Sequence, residues 1–246
     1  MMEIDDPREK LIVALDVPTD DSALKLVEIL RGQVGYFKVG LQLFTLYGPA
    51  IVERILEKGC RVFLDLKLHD IPNTVSNAVN SAVGLGVSML TLHTTGGEMM
   101  LRRAVETVAN AAANSYEVPK LLGVTILTSM DEEQVAGVGL QGPIESLVLN
   151  LARLADRCGL DGIVCSPQEL DRLSQDRFER IFYVTPGIRP RGSSLDDQAR
   201  TNTPTGAIQL GARYLVIGRP IIQADNPASA AERIVEEIRH ARIKAE

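Results

Sequence analysis

Eight short apolar runs, rich in β-branched residues, recur along the chain and alternate with longer stretches of helical period. The runs are Leu11–Leu15, Tyr36–Val39, Arg61–Leu66, Met89–His93, Leu121–Ile126, Gly162–Cys165, Ile181–Thr185 and Tyr214–Ile217. Between them, amphipathic patterns predict helices such as Ser22–Leu30, Ala50–Glu57, Val75–Leu85, Met99–Ala113, Ile144–Cys158 and Ser229–Ala241. Gly32, Gly59, Gly86 and Gly159 fall just beyond helical stretches, where a left-handed residue commonly ends a helix. Strands alternating with helices give βαβ units and a parallel sheet. Eight such units in 246 residues predict an α/β chain of one domain, residues 1–246, closed as a (β/α)8 barrel. An open doubly wound sheet would more often use fewer strands, and no GxGxxG follows the first one, which disfavours a dinucleotide fold.

Composition excludes more than it selects. With 26 Lys and Arg against 32 Asp and Glu, the net charge of −6 disfavours a broad nucleic-acid or anionic-membrane surface. The absence of Trp and the scarcity of other aromatics weaken base stacking as a binding mode. No stretch reaches the roughly 18 apolar residues of a membrane span. The acidic, polar segment Met1–Lys10 lacks the apolar core of a signal peptide, so a cytoplasmic protein is expected. Cys60, Cys158 and Cys165 have no metal-type spacing, and their odd number argues against a disulfide framework. His69, His93 and His240 are scattered and suggest no metal site.

In a barrel of this kind, chemistry gathers where the strands end. Those ends carry Asp16, Lys38, Asp65, Lys67, His93, Thr128, the turn Pro186-Gly187-Ile188-Arg189 and the pair Gly218-Arg219. Asp65 and Lys67 are two residues apart, so on a strand both side chains face the barrel mouth. A salt-bridged network that only closes the barrel is the plainer alternative, but buried charge is costly unless it is used. Asp70 lies past the strand and is separated from that face; alone, it reads as a carboxylate at a helix N-terminus. The loops after the seventh and eighth strands hold Arg189, Gln198, Gly218 and Arg219, a pattern suited to a phosphate. The polar connection Gly187–Arg200 has the length and composition of a lid, a binding loop or a disordered segment, and on a barrel it falls on the catalytic face.

At these residues the sequence resembles the orotidine 5′-monophosphate decarboxylase family, in its bacterial form. The matching segments are Leu15-Asp16-Val17-Pro18, Phe37-Lys38-Val39-Gly40, the ten residues from Asp65 to Thr74 (DLKLHDIPNT), Leu127-Thr128-Ser129, Pro186–Arg189 and Ile217–Ile221. They occur in family order and span nearly the whole chain. The resemblance implies conversion of orotidine 5′-monophosphate to uridine 5′-monophosphate without metal or cofactor. It implies Lys67 as proton donor, Asp65, Asp70 and Lys38 beside it, and a homodimer in which Asp70 reaches the neighbouring subunit's site. By the same implication Asp16 and Lys38 hold the ribose, Thr128 lies near the pyrimidine, and Arg189, Gln198, Gly218 and Arg219 serve the phosphate. The resemblance also implies Ile71 and Thr74 as substrate-binding residues.

Two other readings make different demands. Barrel decarboxylases and aldolases that use DxKxxD with Mg²⁺ place an acidic ligand where this chain has Lys38. A non-catalytic phosphate-sensing barrel has no need for four charges around one carbon. His93 could face the site, but a packed or rim histidine is the plainer role for it.

Overall fold

The computed structural model describes residues 6–114, 117–176, 178, 180–190 and 202–241. Strands β1 (Leu11–Ala14), β2 (Tyr36–Gly40), β3 (Val62–Leu68), β4 (Met89–His93), β5 (Lys120–Val124), β6 (Gly162–Val164), β7 (Phe182–Thr185) and β8 (Ala212–Ile217) pair in sequence order. All neighbours are parallel, and β8 closes onto β1 through Leu11–Leu215, Ile12–Val216 and Val13–Ile217. The eight expected strands are therefore present and form the expected barrel. Their limits differ by a few residues, and one shift matters: β3 runs on to Leu68 and carries Lys67.

Among the described residues eleven α-helices accompany the strands: α1 (Asp20–Leu30), α2 (Leu41–Tyr47), α3 (Pro49–Leu56), α4 (Pro72–Gly84), α5 (Gly97–Ala113), α6 (Glu132–Gly137), α7 (Ile144–Cys158), α8 (Leu170–Ser174), α9 (Pro204–Gln209), α10 (Arg219–Ile222) and α11 (Pro227–His240). Several begin on features legible in the sequence. Thr19 and Asn226 accept backbone N–H bonds as N-caps of α1 and α11, and Pro49, Pro72 and Pro227 occupy first turns, where a missing N–H costs nothing. The four glycines expected beyond helices all have positive φ, from 72° to 85°. None of the helices among the described residues is long and apolar enough to cross a membrane. The three cysteines are free.

Alternation along the strands sorts side chains into two cores. Leu11, Val13, Phe37, Val39, Leu64 and Leu90 face outward and bury against the helices. Ile12, Tyr36, Phe63, Met89, Leu122, Phe182 and Tyr214 fill the barrel from within. Continued toward the C-terminal end, the inward positions become Ala14, Lys38, Asp65, Thr91, Val124, Val164 and Val216. The apolar plug therefore ends one layer below the mouth. On β2, β3 and β4 that last layer is polar.

Candidate active site

Above this plug opens a cavity of about 520 Å³, and its lining is divided. Asp16, Lys38, Asp65 and Lys67, at the ends of β1, β2 and β3, form a charged wall, and Val124, Ile126, Val164 and Val216 supply an apolar lining. Pro186, Gly187, Arg189, Gly218 and Arg219 close the side over β7 and β8, and Thr128 also lines the cavity.

Asp65 is the hub of the charged wall. Its Oδ2 accepts from Lys67 Nζ at 2.8 Å and lies 3.6 Å from Lys38 Nζ, while Thr91 Oγ1 donates to its Oδ1 at 2.9 Å. Lys38 Nζ also reaches Asp16 Oδ1 at 3.2 Å. Burial would push the Asp65 carboxyl up; the Lys38 and Lys67 ammonium groups and the Thr91 hydroxyl overcome that and hold it below its ordinary value. Asp65 is thus ionised at neutral pH although only 9% exposed.

The pair Asp65 and Lys67 meets on the expected face, but the backbone between them is not a regular strand. Lys67 has φ of 51°, alone in that region among the described non-glycine residues. Between Leu64 and Leu68, β3 spends four residue steps where β4 spends two, from Leu90 to Leu92. This bulge turns Lys67 into the mouth, and a left-handed residue with a Cβ costs about 1 kcal/mol. Gly40 serves the same wall by being small. A Cβ built on it would lie 3.0 Å from Lys38 Nζ and displace the ammonium.

The remaining candidates fall into three groups. Thr128, Arg189, Gly218 and Arg219 line the cavity. Arg189 is only 8% exposed and donates one N–H to Ile188 O, while its backbone N–H bonds Asn202 O. The stems of the long connection are joined by that bond and by the bridge from Ile188 to Asn202. Gln198 and the rest of 191–200 lie outside the described residues.

Asp70, Ile71 and Thr74 do not enter the cavity of their own chain. Asp70 is exposed, its Oδ1 accepting from Ile71 N, and with Ile71 it lines a separate hollow beside His69 and Gly96. Ile71 is 66% exposed, and Thr74 is exposed on the first turn of α4. The separation of Asp70 expected from strand spacing is therefore observed. His93 is half-buried against the His69 ring, 5.5 Å between centroids, and does not line the cavity, as a packed rim histidine would not. Burial, His69 and Lys67 keep its pKa below the ordinary value, and Asp65 opposes them only in part. Sequence reasoning missed Thr91 altogether, because a threonine inside a strand looks like any β-branched filler.

Fold and mouth together define a barrel enzyme whose charged centre is one buried carboxylate shared by two ammonium groups. The comparisons with known proteins agree. Residues 9–234 match the model of the orotidine 5′-phosphate decarboxylase / HUMPS family. An orotidine 5′-phosphate decarboxylase of Syntrophotalea carbinolica is 49% identical over 232 residues, 94% of this chain and 95% of that one. Another, of Nitrosospira multiformis, is 48% identical over 235 residues, 96% of this chain and 95% of that one. The crystal structure of the Lactobacillus acidophilus orotidine 5′-phosphate decarboxylase superposes with a TM-score of 0.82 at 36% identity, covering 93% and 98% of the two chains. The chain belongs to the orotidine 5′-phosphate decarboxylase / HUMPS family.

Proposed function

We propose that this chain decarboxylates orotidine 5′-monophosphate to uridine 5′-monophosphate and carbon dioxide, the last step of pyrimidine nucleotide synthesis, in the cytoplasm. As a member of this family it is a carboxy-lyase. The observation that carries the finer mechanism is the convergence of Lys38 and Lys67 on Oδ2 of buried Asp65 in the charged wall of the cavity.

Loss of CO₂ from the pyrimidine leaves an electron pair in an sp² orbital with little resonance help. An ammonium aimed at that carbon stabilises the charge as it forms and then supplies the proton. Lys67 is the donor: Asp65 orients its ammonium through the 2.8 Å bond, and the cavity leaves its head accessible. A substrate carboxylate beside Asp65 would be repelled, and that repulsion disappears as CO₂ departs. At about 4 Å and an effective dielectric near 20, one unit-charge contact is worth about 4 kcal/mol. That corresponds to roughly three orders of magnitude in rate, so the rest must come from preorganisation and from binding energy at the distant phosphate. Asp16 and Lys38 hold the ribose hydroxyls, Thr128 meets the pyrimidine, and Arg189, Gln198, Gly218 and Arg219 take the phosphate.

The reaction needs no metal or cofactor in this reading. Its support is the donor set, since the Lys38 ammonium sits between the Asp16 and Asp65 carboxylates, where a divalent cation would otherwise bridge them. Asp70, exposed beside an exposed Ile71, completes the charged set of a second subunit in a homodimer. Ile71 and Thr74 enter that neighbouring site with it.

Turnover of orotidine 5′-monophosphate, followed by the change in ultraviolet absorbance, tests the proposal. The purified protein should convert it at the same rate before and after treatment with a chelator. No conversion, or conversion abolished by the chelator and restored by Mg²⁺, contradicts it.

A further inference from the structure

The bulge that turns Lys67 into the cavity leaves a gap in the ladder between β3 and β4, and a single hydroxyl fills it. Thr91, on the inward face of β4, is fully buried and does not line the cavity. Its Oγ1 accepts from the Lys67 backbone N–H at 2.9 Å and donates to Asp65 Oδ1 at 2.9 Å. In a regular strand the backbone N–H of Lys67 would turn toward β2, as Arg61 does in accepting from Phe37 N, while Val62 bonds Ser88 on the β4 side. The shifted register between Leu64 and Leu68 turns the Lys67 N–H to β4 instead, where Thr91 meets it. A hydroxyl is the smallest side-chain group that can accept one bond and donate another at the same point. Valine has the same shape and can do neither.

We propose that Thr91 is a positioning residue for decarboxylation: its hydroxyl locks Lys67 in the left-handed backbone conformation and fixes Asp65 beside it, setting where the Lys67 ammonium points. This rests on the reading of Lys67 as proton donor. Three features support it. Lys67 is the one non-glycine residue with positive φ among those described, so something must hold it there. Lys67 Nζ bonds Asp65 Oδ2 while Thr91 bonds Asp65 Oδ1, so the hydroxyl and the ammonium grip opposite oxygens of one carboxylate. And no other side chain is hydrogen-bonded to both Asp65 and the Lys67 backbone among the described residues.

The test compares Thr91→Val and Thr91→Ser with the native enzyme in kcat, KM and affinity for uridine 5′-monophosphate, with melting temperature as the check on folding. Valine should lower kcat between about tenfold and a hundredfold, the range expected when a buried bond to an ionised group is lost, while product affinity changes by less than about twofold. Serine should restore kcat to within about threefold. A crystal structure of Thr91→Val gives a reading independent of activity: Lys67 should leave the left-handed region or Asp65 should rotate. Unchanged kcat in folded Thr91→Val overturns the proposal. So does a parallel loss of kcat and product affinity that serine does not rescue, because that pattern belongs to packing. If the native protein fails to turn over orotidine 5′-monophosphate, the substrate reading falls. The crystal structure then decides on Thr91 alone, and native Lys67 and Asp65 geometry in the valine variant refutes it.

Discussion

Both ends of the barrel carry charge, and they use it in opposite ways. At the N-terminal end Arg61 pairs with Glu9 and lies over the Tyr36 ring, 4.2 Å from its centroid, while Arg213 and Lys120 lie over Phe182 at 5.5 and 5.8 Å. These cations spread across the ring faces that seal the plug, and the Arg61 and Glu9 side chains stay 42% and 39% exposed. At the C-terminal end two ammonium groups crowd one carboxylate oxygen, and the Lys38 and Asp65 side chains are each 12% exposed. Water screens the first arrangement and leaves it worth little per pair. In the second, low dielectric makes every charge matter, to stability as a cost and to a bound ligand as a force. Charge at the lower end therefore reads as a lid on the core, and charge at the upper end as chemistry.

That contrast can be broken at several points. The largest expected effect is from Lys67→Ala, which should lower kcat by at least about three orders of magnitude while uridine 5′-monophosphate binding stays measurable by calorimetry. Substantial residual turnover would mean that another group delivers the proton. Next comes Arg219→Ala, expected to lower kcat/KM on the nucleotide by about tenfold to a hundredfold and to spare the phosphate-free nucleoside. Equal losses on both substrates would remove Arg219 from the phosphate side.

Gly40→Ala sharpens the comparison within the charged wall. Its new methyl would meet Lys38 Nζ at 3.0 Å, and the expected cost is about tenfold in kcat with little change in melting temperature. Native kcat would show that the ammonium can move without consequence. The smallest effect belongs to the lower end. Arg61→Ala should cost about 1 kcal/mol of stability by denaturant titration, through the lost ring and carboxylate contacts, with kcat unchanged. A fall in kcat at native stability would erase the distinction between the two ends.

The strands were legible because each is a short, β-branched run set off by helical period, and a charged strand end stands out against it. Lys38, Asp65, Arg189 and Arg219 were found by that signal. The short helices α2, α6, α8, α9 and α10 were not picked out, since four to seven residues show too little of a 3.6-residue period. Nothing in the letters marks Lys67 as left-handed, because only glycine and asparagine advertise that conformation. Alternation alone put Asp65 and Lys67 on one face, yet the contact is made through a bulge whose register depends on the neighbouring strand. Thr91 stayed hidden for the same reason: its role exists only where β3 and β4 fall out of step.

In the proposed mechanism Lys67 works in its own barrel while Asp70 is lent to a neighbour. Mixing inactive Lys67→Ala and Asp70→Ala homodimers under conditions that allow subunit exchange tests it directly. In a mixed dimer one site would carry both lesions and the other neither, so random exchange should restore roughly a quarter of native turnover. If Asp70 instead serves its own chain, each site in the mixed dimer keeps one lesion, and no activity would return.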